Sequence, residues 1–219
     1  MPGSLEAILR PRSLAVVGAS SRAESLSGRL LGNLLAAGYA GAVYPVNPRA
    51  ETIGPFKCYP NLRAIPTAVD LAVVMVPKDA VLATIDECLE VGVKGVVVIT
   101  AGFREAGEAG AEVERRVLER VRRAGVRMIG PNCMGLINTD SDVRMDASFT
   151  PAPALPGTVA FASHSGALGV AVLEAAREVG LGFSQFVSLG NSADVDVNEL
   201  LEVWEHHDGT RVIMLYLES

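Results

Sequence analysis

The residues best suited to chemistry stand in a short turn that follows an apolar run near the start of the chain. Leu14 to Val17 are apolar, Gly18 ends the run, and Ser20, Ser21 and Arg22 follow it. Only the first glycine of the G-x-G-x-x-G motif is present, which weakens an NAD-binding interpretation. Two hydroxyls and a guanidinium suit phosphate well. We therefore predict a phosphate-binding turn, with an ordinary βα turn that binds no ligand as the alternative.

A second candidate group lies at the end of the next apolar run, which covers Ala42 to Val46. In NAD-binding domains an acidic residue at this place holds the ribose 2′-hydroxyl. This sequence instead has Asn47 and, two positions later, Arg49. An amide and a guanidinium suit a nucleotide that carries an extra ribose phosphate. The pattern therefore indicates NADP or coenzyme A (CoA) rather than NAD.

Another turn of the anion-binding type occurs late in the chain, between an apolar run and a helical pattern. It consists of Ser163, His164, Ser165 and Gly166. Free backbone N–H groups at the N-terminus of a helix attract anions, but a serine there can also serve as a structural cap alone. Both interpretations stay open for this turn.

A framework of alternating strands and helices must position these turns. Apolar runs predict strands, and apolar residues at helical spacing predict helices. The predicted strands cover 14–17, 42–46, 71–76, 96–100, 126–129, 158–162, 183–189 and 211–217, and the predicted helices cover 26–35, 81–91, 105–123, 168–176 and 197–206. This order predicts a parallel α/β sheet whose strand ends share one edge and form one crevice.

The apolar periodicity lapses between Asn138 and Pro156, where polar residues and prolines gather. We therefore predict a first domain over 1–138, a linker over 139–157 and a partial second domain over 158–219. The chain ends directly after a predicted strand. We expect it to be a fragment of a longer protein, with the last strand exposed on one face.

The overall composition excludes several classes of function. A formal net charge of −6 and a pI near 5.1 argue against a nucleic-acid or membrane surface as partner. Three cysteines without a C-x-x-C motif indicate neither a disulfide framework nor a zinc site, and we expect no metal. Cys133 has no histidine near it in sequence, which favours an inert thiol, and His206 and His207 favour a solvated helix end. Without a leader or an apolar run of about 18 residues, we expect a cytoplasmic protein.

Seven segments together carry a resemblance to a known family. They are VVGAS, VYPVNPR, DLAVVMVP, VVVITAGF, GVRMIGPNCMGLIN, SHSGALG and FVSLGN. In this order and spacing the chain resembles the N-terminal part of the nucleoside-diphosphate-forming acyl-CoA synthetases, which are related to the α subunit of succinyl-CoA synthetase. The resemblance implies a Rossmann-type CoA-binding domain followed by a truncated flavodoxin-like domain.

The resemblance also implies roles for individual residues. It places CoA on the first turn, with Asn47 and Arg49 near the nucleotide end and Asn132 near the thioester. The residues that it places along the ligand are Gly18, Ser20, Ser21, Arg22, Val76, Pro77, Ile99, Thr100 and Ala101. These synthetases interconvert acyl-CoA and ATP through an acyl phosphate and a phosphohistidine. By resemblance, Ser163, Ser165 and Gly166 hold that phosphohistidine and Glu218 orients it.

The phosphorylated histidine of the family lies downstream of Ser219, and the resemblance does not support that role for His164. The implied partner is an ATP-grasp domain or a β subunit that binds ADP or ATP, and an oligomer is left open. We expect the chain of 219 residues to bind CoA without turnover.

Two alternatives stay open at this stage. The first is a non-catalytic CoA-binding or regulatory module, such as the synthetase-like part of a protein acyltransferase. The second is an NADP-dependent oxidoreductase, which Arg49 favours but which lacks an evident catalytic pair of tyrosine and lysine.

Overall fold

The structure is a computed structural model that describes residues 5–218. Two five-stranded sheets account for most of the fold. The strands, in chain order, are β1 (Ser13–Val17), β2 (Ala42–Val46), β3 (Thr52–Ile53), β4 (Phe56–Lys57), β5 (Leu71–Val74), β6 (Gly95–Val98), β7 (Arg127–Ile129), β8 (Gly135–Asn138), β9 (Met145–Ser148), β10 (Pro156–Ser163), β11 (Phe183–Ser188) and β12 (Val212–Tyr216). The helices are α1 (Glu6–Leu9), α2 (Leu26–Ala37), α3 (Lys78–Glu90), α4 (Glu108–Arg123), α5 (Gly166–Glu178) and α6 (Val197–Glu205). None of the helices in this part of the chain is long and apolar enough to cross a membrane.

The first sheet is parallel throughout and has the strand order β2-β1-β5-β6-β7. Helices cover both of its faces, so its central strands are apolar without alternation and fully buried. The chain direction across the sheet reverses between β1 and β5, and ligands bind at such a switch point outside the carboxyl ends of the strands. The predicted α/β fold class is confirmed.

The second sheet is mixed, with the strand order β12-β10-β11-β8-β9. Strands β10, β11 and β12 are parallel, whereas β8 and β9 form an antiparallel hairpin that pairs with β11 through β8. Strand β12 lies at one edge, and four of its five residues are exposed on both faces. We predicted exposure on one face only.

This sheet extends into the predicted linker over 139–157 and includes the strand before the predicted boundary at 138, whereas the domain bounds themselves stay a prediction. Strand β8 already belongs to the second sheet, and β9 lies inside the predicted linker. The polar residues there are buried and satisfy one another: the Ser148 hydroxyl donates to Asp146 and pairs with Thr150. Polarity that resembled a loop therefore belongs to a buried strand.

The helix predicted over 105–123 begins later than expected. A short 3₁₀ turn covers Arg104–Ala106, and Gly107, at φ +105°, separates it from α4. The carboxylate of Glu105 accepts hydrogen bonds from the backbone N–H groups of Gly102 and Phe103. The left-handed φ of Gly107 breaks the helical backbone, so α4 begins only after it.

Candidate functional site

A cleft of about 880 Å³ opens at the carboxyl edge of the first sheet and extends to the turn that follows β10. Of the predicted site residues, the following line it: Gly18, Ser20, Arg22, Val76, Pro77, Ile99, Thr100, Ala101, Asn132, Ser165, Gly166 and Glu218. Ser21, Asn47, Arg49 and Ser163 lie outside its wall. The structure therefore brings together turns from both sheets that are far apart in sequence.

The turn after β1 is shaped by two glycines. Gly18 has φ +91°, and a Cβ atom there would lie 2.7 Å from the Met75 carbonyl oxygen. A Cβ atom on Gly28 would collide with the carbonyl oxygen of Arg22. Gly28 thus allows close packing of helix and turn, the role of the third glycine in the dinucleotide motif. The motif comparison missed it because it stands later than the motif prescribes.

Three helix N-termini converge on the cleft, from α2, α3 and α5. The Ser25 hydroxyl caps α2 by accepting from the Gly28 N–H at 3.1 Å, and Ser165 caps α5 by accepting from the Leu168 N–H at 3.4 Å. Each cap occupies one of the four free N–H groups of its helix. The remaining N–H groups and the helix dipoles make the cleft attractive to anions.

Asn47 and Arg49 have different environments at the end of β2. The Asn47 amide donates to the Ala19 carbonyl at 2.7 Å, and its oxygen accepts from the Arg49 N–H at 2.8 Å. The side chain of Asn47 is thus committed to holding the first turn. Arg49 is exposed, and its guanidinium forms no ion pair with any residue of the described range. Arg49 is the group at this strand end that is free to meet a phosphate.

The floor of the cleft is held by hydrogen bonds between strand ends. The Thr100 hydroxyl donates to the Val76 carbonyl at 2.7 Å, and the Asn132 N–H donates to the Thr100 carbonyl at 3.0 Å. Cys133 is buried beside them, and its thiol donates to the Val98 carbonyl. Burial raises the pKa of Cys133 to about 12, so the group is a thiol at neutral pH. A nucleophilic role for Cys133 finds no support in this geometry.

The turn after β10 uses its serines in two ways. The Ser163 side chain is buried beneath the turn, and its hydroxyl donates to the Ser165 carbonyl at 2.7 Å. Ser163 therefore shapes the turn, whereas Ser165 and Gly166 lie on the cleft wall. The Glu218 N–H donates to Nδ1 of His164 at 3.2 Å. Because Nδ1 is the acceptor, a neutral His164 ring carries its proton on Nε2.

The other charged clusters are satisfied internally. A depression of about 640 Å³ lies at the opposite edge of the first sheet, where Asp70 pairs with Lys94 and accepts from the Arg12 N–H. His207 contacts Asp140 and Thr210 at the end of α6. Between residues 5 and 218 there is no group of three or more His, Cys, Asp or Glu side chains suited to a metal ion.

Comparison with known families gives two matches. Residues 12–139 match the model described as CoA binding domain. Residues 156–219 match the model described as succinyl-CoA ligase like flavodoxin domain. Residues 140–155, which include β9, lie in neither match, and the two matches together include every residue that lines the cleft except Phe149.

Individual relatives cover almost the whole chain. It is 42% identical over 98% of its length to acetate–CoA ligase (ADP-forming) I of Archaeoglobus fulgidus, and 40% identical over 99% to the α subunit of acetate–CoA ligase (ADP-forming) I of Pyrococcus furiosus. The dinucleotide forming acetyl-coenzyme A synthetase 1 of Candidatus Korarchaeum cryptofilum, solved with phosphate and ADP, superposes with a TM-score of 0.94 at 42% identity over 99% of the chain. The chain spans 31%, 47% and 46% of these three proteins, respectively.

Proposed function

Because this chain belongs to the CoA binding domain family, we propose that it is the CoA-binding part of a nucleoside-diphosphate-forming acyl-CoA synthetase. The observation that carries the proposal is the single cleft in which turns of both matched domains meet. CoA has a phosphorylated nucleotide, a pyrophosphate and a long neutral arm. A cleft with helix N-termini facing it and apolar residues such as Val76, Pro77 and Ile99 along its wall suits such a molecule.

In this proposal each part of the cleft meets a different part of CoA. Ser20, Ser21 and Arg22 hold the pyrophosphate, and Arg49 meets the ribose phosphate from outside the cleft wall. The neutral arm runs past Val76, Pro77, Ile99, Thr100 and Ala101. Asn132 lies at the reactive end, beside the turn that follows β10. Asn47 and Gly18 act indirectly, by fixing the shape of the first turn.

The reaction proposed here is the one that the family resemblance implies. A phosphate oxygen attacks the thioester carbonyl, and the CoA thiol leaves with a proton, giving an acyl phosphate. Its phosphoryl group then passes to a histidine, which releases the carboxylate, and from the histidine to ADP. The N-terminus of α5, with Ser165 and Gly166, stabilises the phosphorylated histidine, and Glu218 orients it. The histidine lies on a segment downstream of this chain, and an ATP-grasp domain or β subunit supplies ADP.

His164 is unsuited to carry the phosphoryl group itself. Its Nδ1 lone pair accepts from the Glu218 N–H, and its Nε2 is protonated in the neutral ring. Neither nitrogen then offers a lone pair to phosphorus. In the full-length protein, acid-labile and base-stable radiolabel from ATP should therefore persist in His164→Ala. Loss of that label in His164→Ala would contradict the assignment, and CoA binding without any label would instead indicate a regulatory module.

Calorimetric titration with CoA tests the binding site. We expect Arg22→Ala to weaken CoA binding about tenfold, the lower end for a charged hydrogen bond. Arg49→Ala should weaken it about threefold, because Arg49 lies outside the cleft wall, where an exposed ion pair contributes little. Arg49→Ala should leave the affinity for 3′-dephospho-CoA unchanged. Arg29→Ala is the matched control, since Arg29 is exposed on α2 outside the cleft. NADH binding as tight as CoA would refute the proposal.

A further inference from the structure

One buried amide of the second sheet joins two loops of the first. Asn191 follows β11 in the FVSLGN segment and is 6% exposed. Its Nδ2 donates to Glu105 Oε2 and to Glu114 Oε2, each at 2.7 Å. Its Oδ1 accepts from Asn132 Nδ2 at 3.3 Å. The amide is therefore used as donor and acceptor at once, toward three side chains from different places in the chain.

The backbone around Asn191 is docked as firmly as its side chain. The Asn191 N–H donates to the Pro131 carbonyl at 2.9 Å, and its carbonyl accepts from the Arg104 guanidinium. A Cβ atom on the preceding Gly190, which has φ +56°, would collide with the carbonyl oxygens of Pro131 and Asn132. The segment from 190 to 191 thus packs directly on the loop that holds Asn132.

Glu105 connects Asn191 to the loop that lines the cleft. Its Oε1 accepts from the Gly102 N–H at 2.5 Å and from the Phe103 N–H at 3.1 Å, while its Oε2 accepts from Asn191. Burial raises the pKa of Glu105, but the hydrogen bonds from Asn191 and the backbone outweigh it and hold that pKa below its usual value. The ionised carboxylate fixes the loop that begins with Thr100 and Ala101 on the cleft wall.

We infer that Asn191 is a positioning residue for the cleft, holding the loop after β6 and the loop after β7 at the spacing that the ligand requires. The step from loop position to CoA rests on the function proposed above. Position 191 requires an amide side chain, because the group there donates to two carboxylates and accepts from Asn132. An aspartate would place a third carboxylate there and would remove the N–H groups that donate to Glu105 and Glu114. An alanine would leave these two carboxylates without the amide between them.

The test uses three variants and an exchanged pair. In Asn191→Asp and Asn191→Ala, hydrogen exchange at the Gly102 and Phe103 amides should rise about tenfold, and CoA affinity should fall about tenfold. Adding Glu105→Gln to Asn191→Asp exchanges amide and carboxylate across the same hydrogen bond. Because glutamine retains the acceptor at Oε1 and can donate to the new carboxylate, the double variant should recover part of both losses. The remainder should persist, because the carboxylate at position 191 still faces Glu114. Asn198→Ala, at an exposed position on α6, is the control.

The two readouts separate the inference from the proposed function. Wild-type protein that fails to bind CoA refutes the proposed function, while hydrogen exchange still decides whether Asn191 positions the loop. A rise in hydrogen exchange that is confined to the amides of residues 102 and 103, with exchange in β10 unchanged, supports a positioning role for Asn191. Exchange that rises uniformly, or does not change in a folded Asn191→Asp variant, overturns the inference. Rescue by Glu105→Gln would not follow from a general loss of stability.

Discussion

Replacing Arg127 with methionine should destabilise the protein far more than the same change at an exposed arginine. Arg127 lies in β7 of the first sheet and is 9% exposed. Its Nε donates to Asp194 at 2.9 Å, and its two terminal nitrogens contact both oxygens of Glu199. Asp194 lies in the loop between β11 and α6, and Glu199 lies in α6. The interaction therefore ties the two halves of the molecule together through largely buried charges.

The magnitude follows from what the substitution leaves behind. Removing one partner of a buried ion pair costs about 3–5 kcal/mol because the other charge stays desolvated. Asp194 is 3% exposed but retains Arg122 at 2.9 Å and the Met128 N–H at 2.9 Å. We therefore expect the lower end, about 3 kcal/mol, for Arg127→Met. For a chain of this size that corresponds to a fall in Tm of roughly 6–12 °C.

Urea unfolding followed by circular dichroism measures the difference. Arg115→Met is the matched control, because Arg115 is exposed and pairs at 2.6 Å with the exposed Glu112, and such surface pairs contribute about 0–1 kcal/mol. An Arg127→Met variant within 1 kcal/mol of the control would refute the reasoning. It would mean that the desolvation of Arg127 offsets its pairing with both carboxylates.

Two further predictions concern a glycine and a buried acid. Gly28→Ala should lower the free energy of unfolding by about 1–3 kcal/mol, because the new methyl group meets the Arg22 carbonyl, which is backbone. Gly32→Ala, on the same helix with no neighbouring atom within 4 Å, should raise it by up to about 1 kcal/mol. Burial raises the pKa of Asp146 to about 6 from its ordinary 3.8. The folded state therefore favours the protonated form of Asp146. The stability that this protonation contributes is complete below pH 3.8 and is lost as the pH rises from 3.8 through about 6. Asp146→Asn should remove this loss, a gain of up to roughly 3 kcal/mol at pH 8.

Unfolding curves at several pH values check both. The glycine prediction is wrong if the two alanine variants shift stability in the same direction by the same amount. For Asp146→Asn, a stability difference from wild type that stays constant between pH 4 and pH 8 would contradict the assigned pKa. The hydrogen bonds from Ser148 to Oδ1 are compatible with an asparagine oxygen, so the variant is expected to fold.

The first turn and the helix after it could be predicted because their signals are local. The apolar run before Gly18 and the helical spacing after Leu26 each lie within a few residues, and the helix ends at Gly38, a left-handed cap. The convergence of strand ends on one cleft also followed, since parallel strands joined by helices share an edge. That the same residues bind CoA stays a prediction.

The remaining features depend on contacts between distant residues, which no local pattern displays. Strand β9 was predicted as linker because the helix that packs on it, α2, lies more than 100 positions away; Asn33 of that helix donates to the Ser148 carbonyl. The place of Asn47 was predicted, but its commitment to the Ala19 carbonyl was not, because a short amide has several partners within reach. Asn191 was seen only as part of a segment. Its importance arises from Glu105 and Glu114, more than 70 positions away.

Helix α2 reaches from the cleft to the edge of the second sheet. Its first turn lies on the cleft wall, and farther along it the amide of Asn33 donates at 3.0 Å to the carbonyls of Ser148 and Thr150. A helix of 12 residues is about 18 Å long and behaves as a stiff rod over that length. An anion bound at the amino end of α2 and a partner bound at β9 would therefore contact the same rigid element. If either one changes the affinity for the other, thermodynamic reciprocity requires the converse effect to have the same factor.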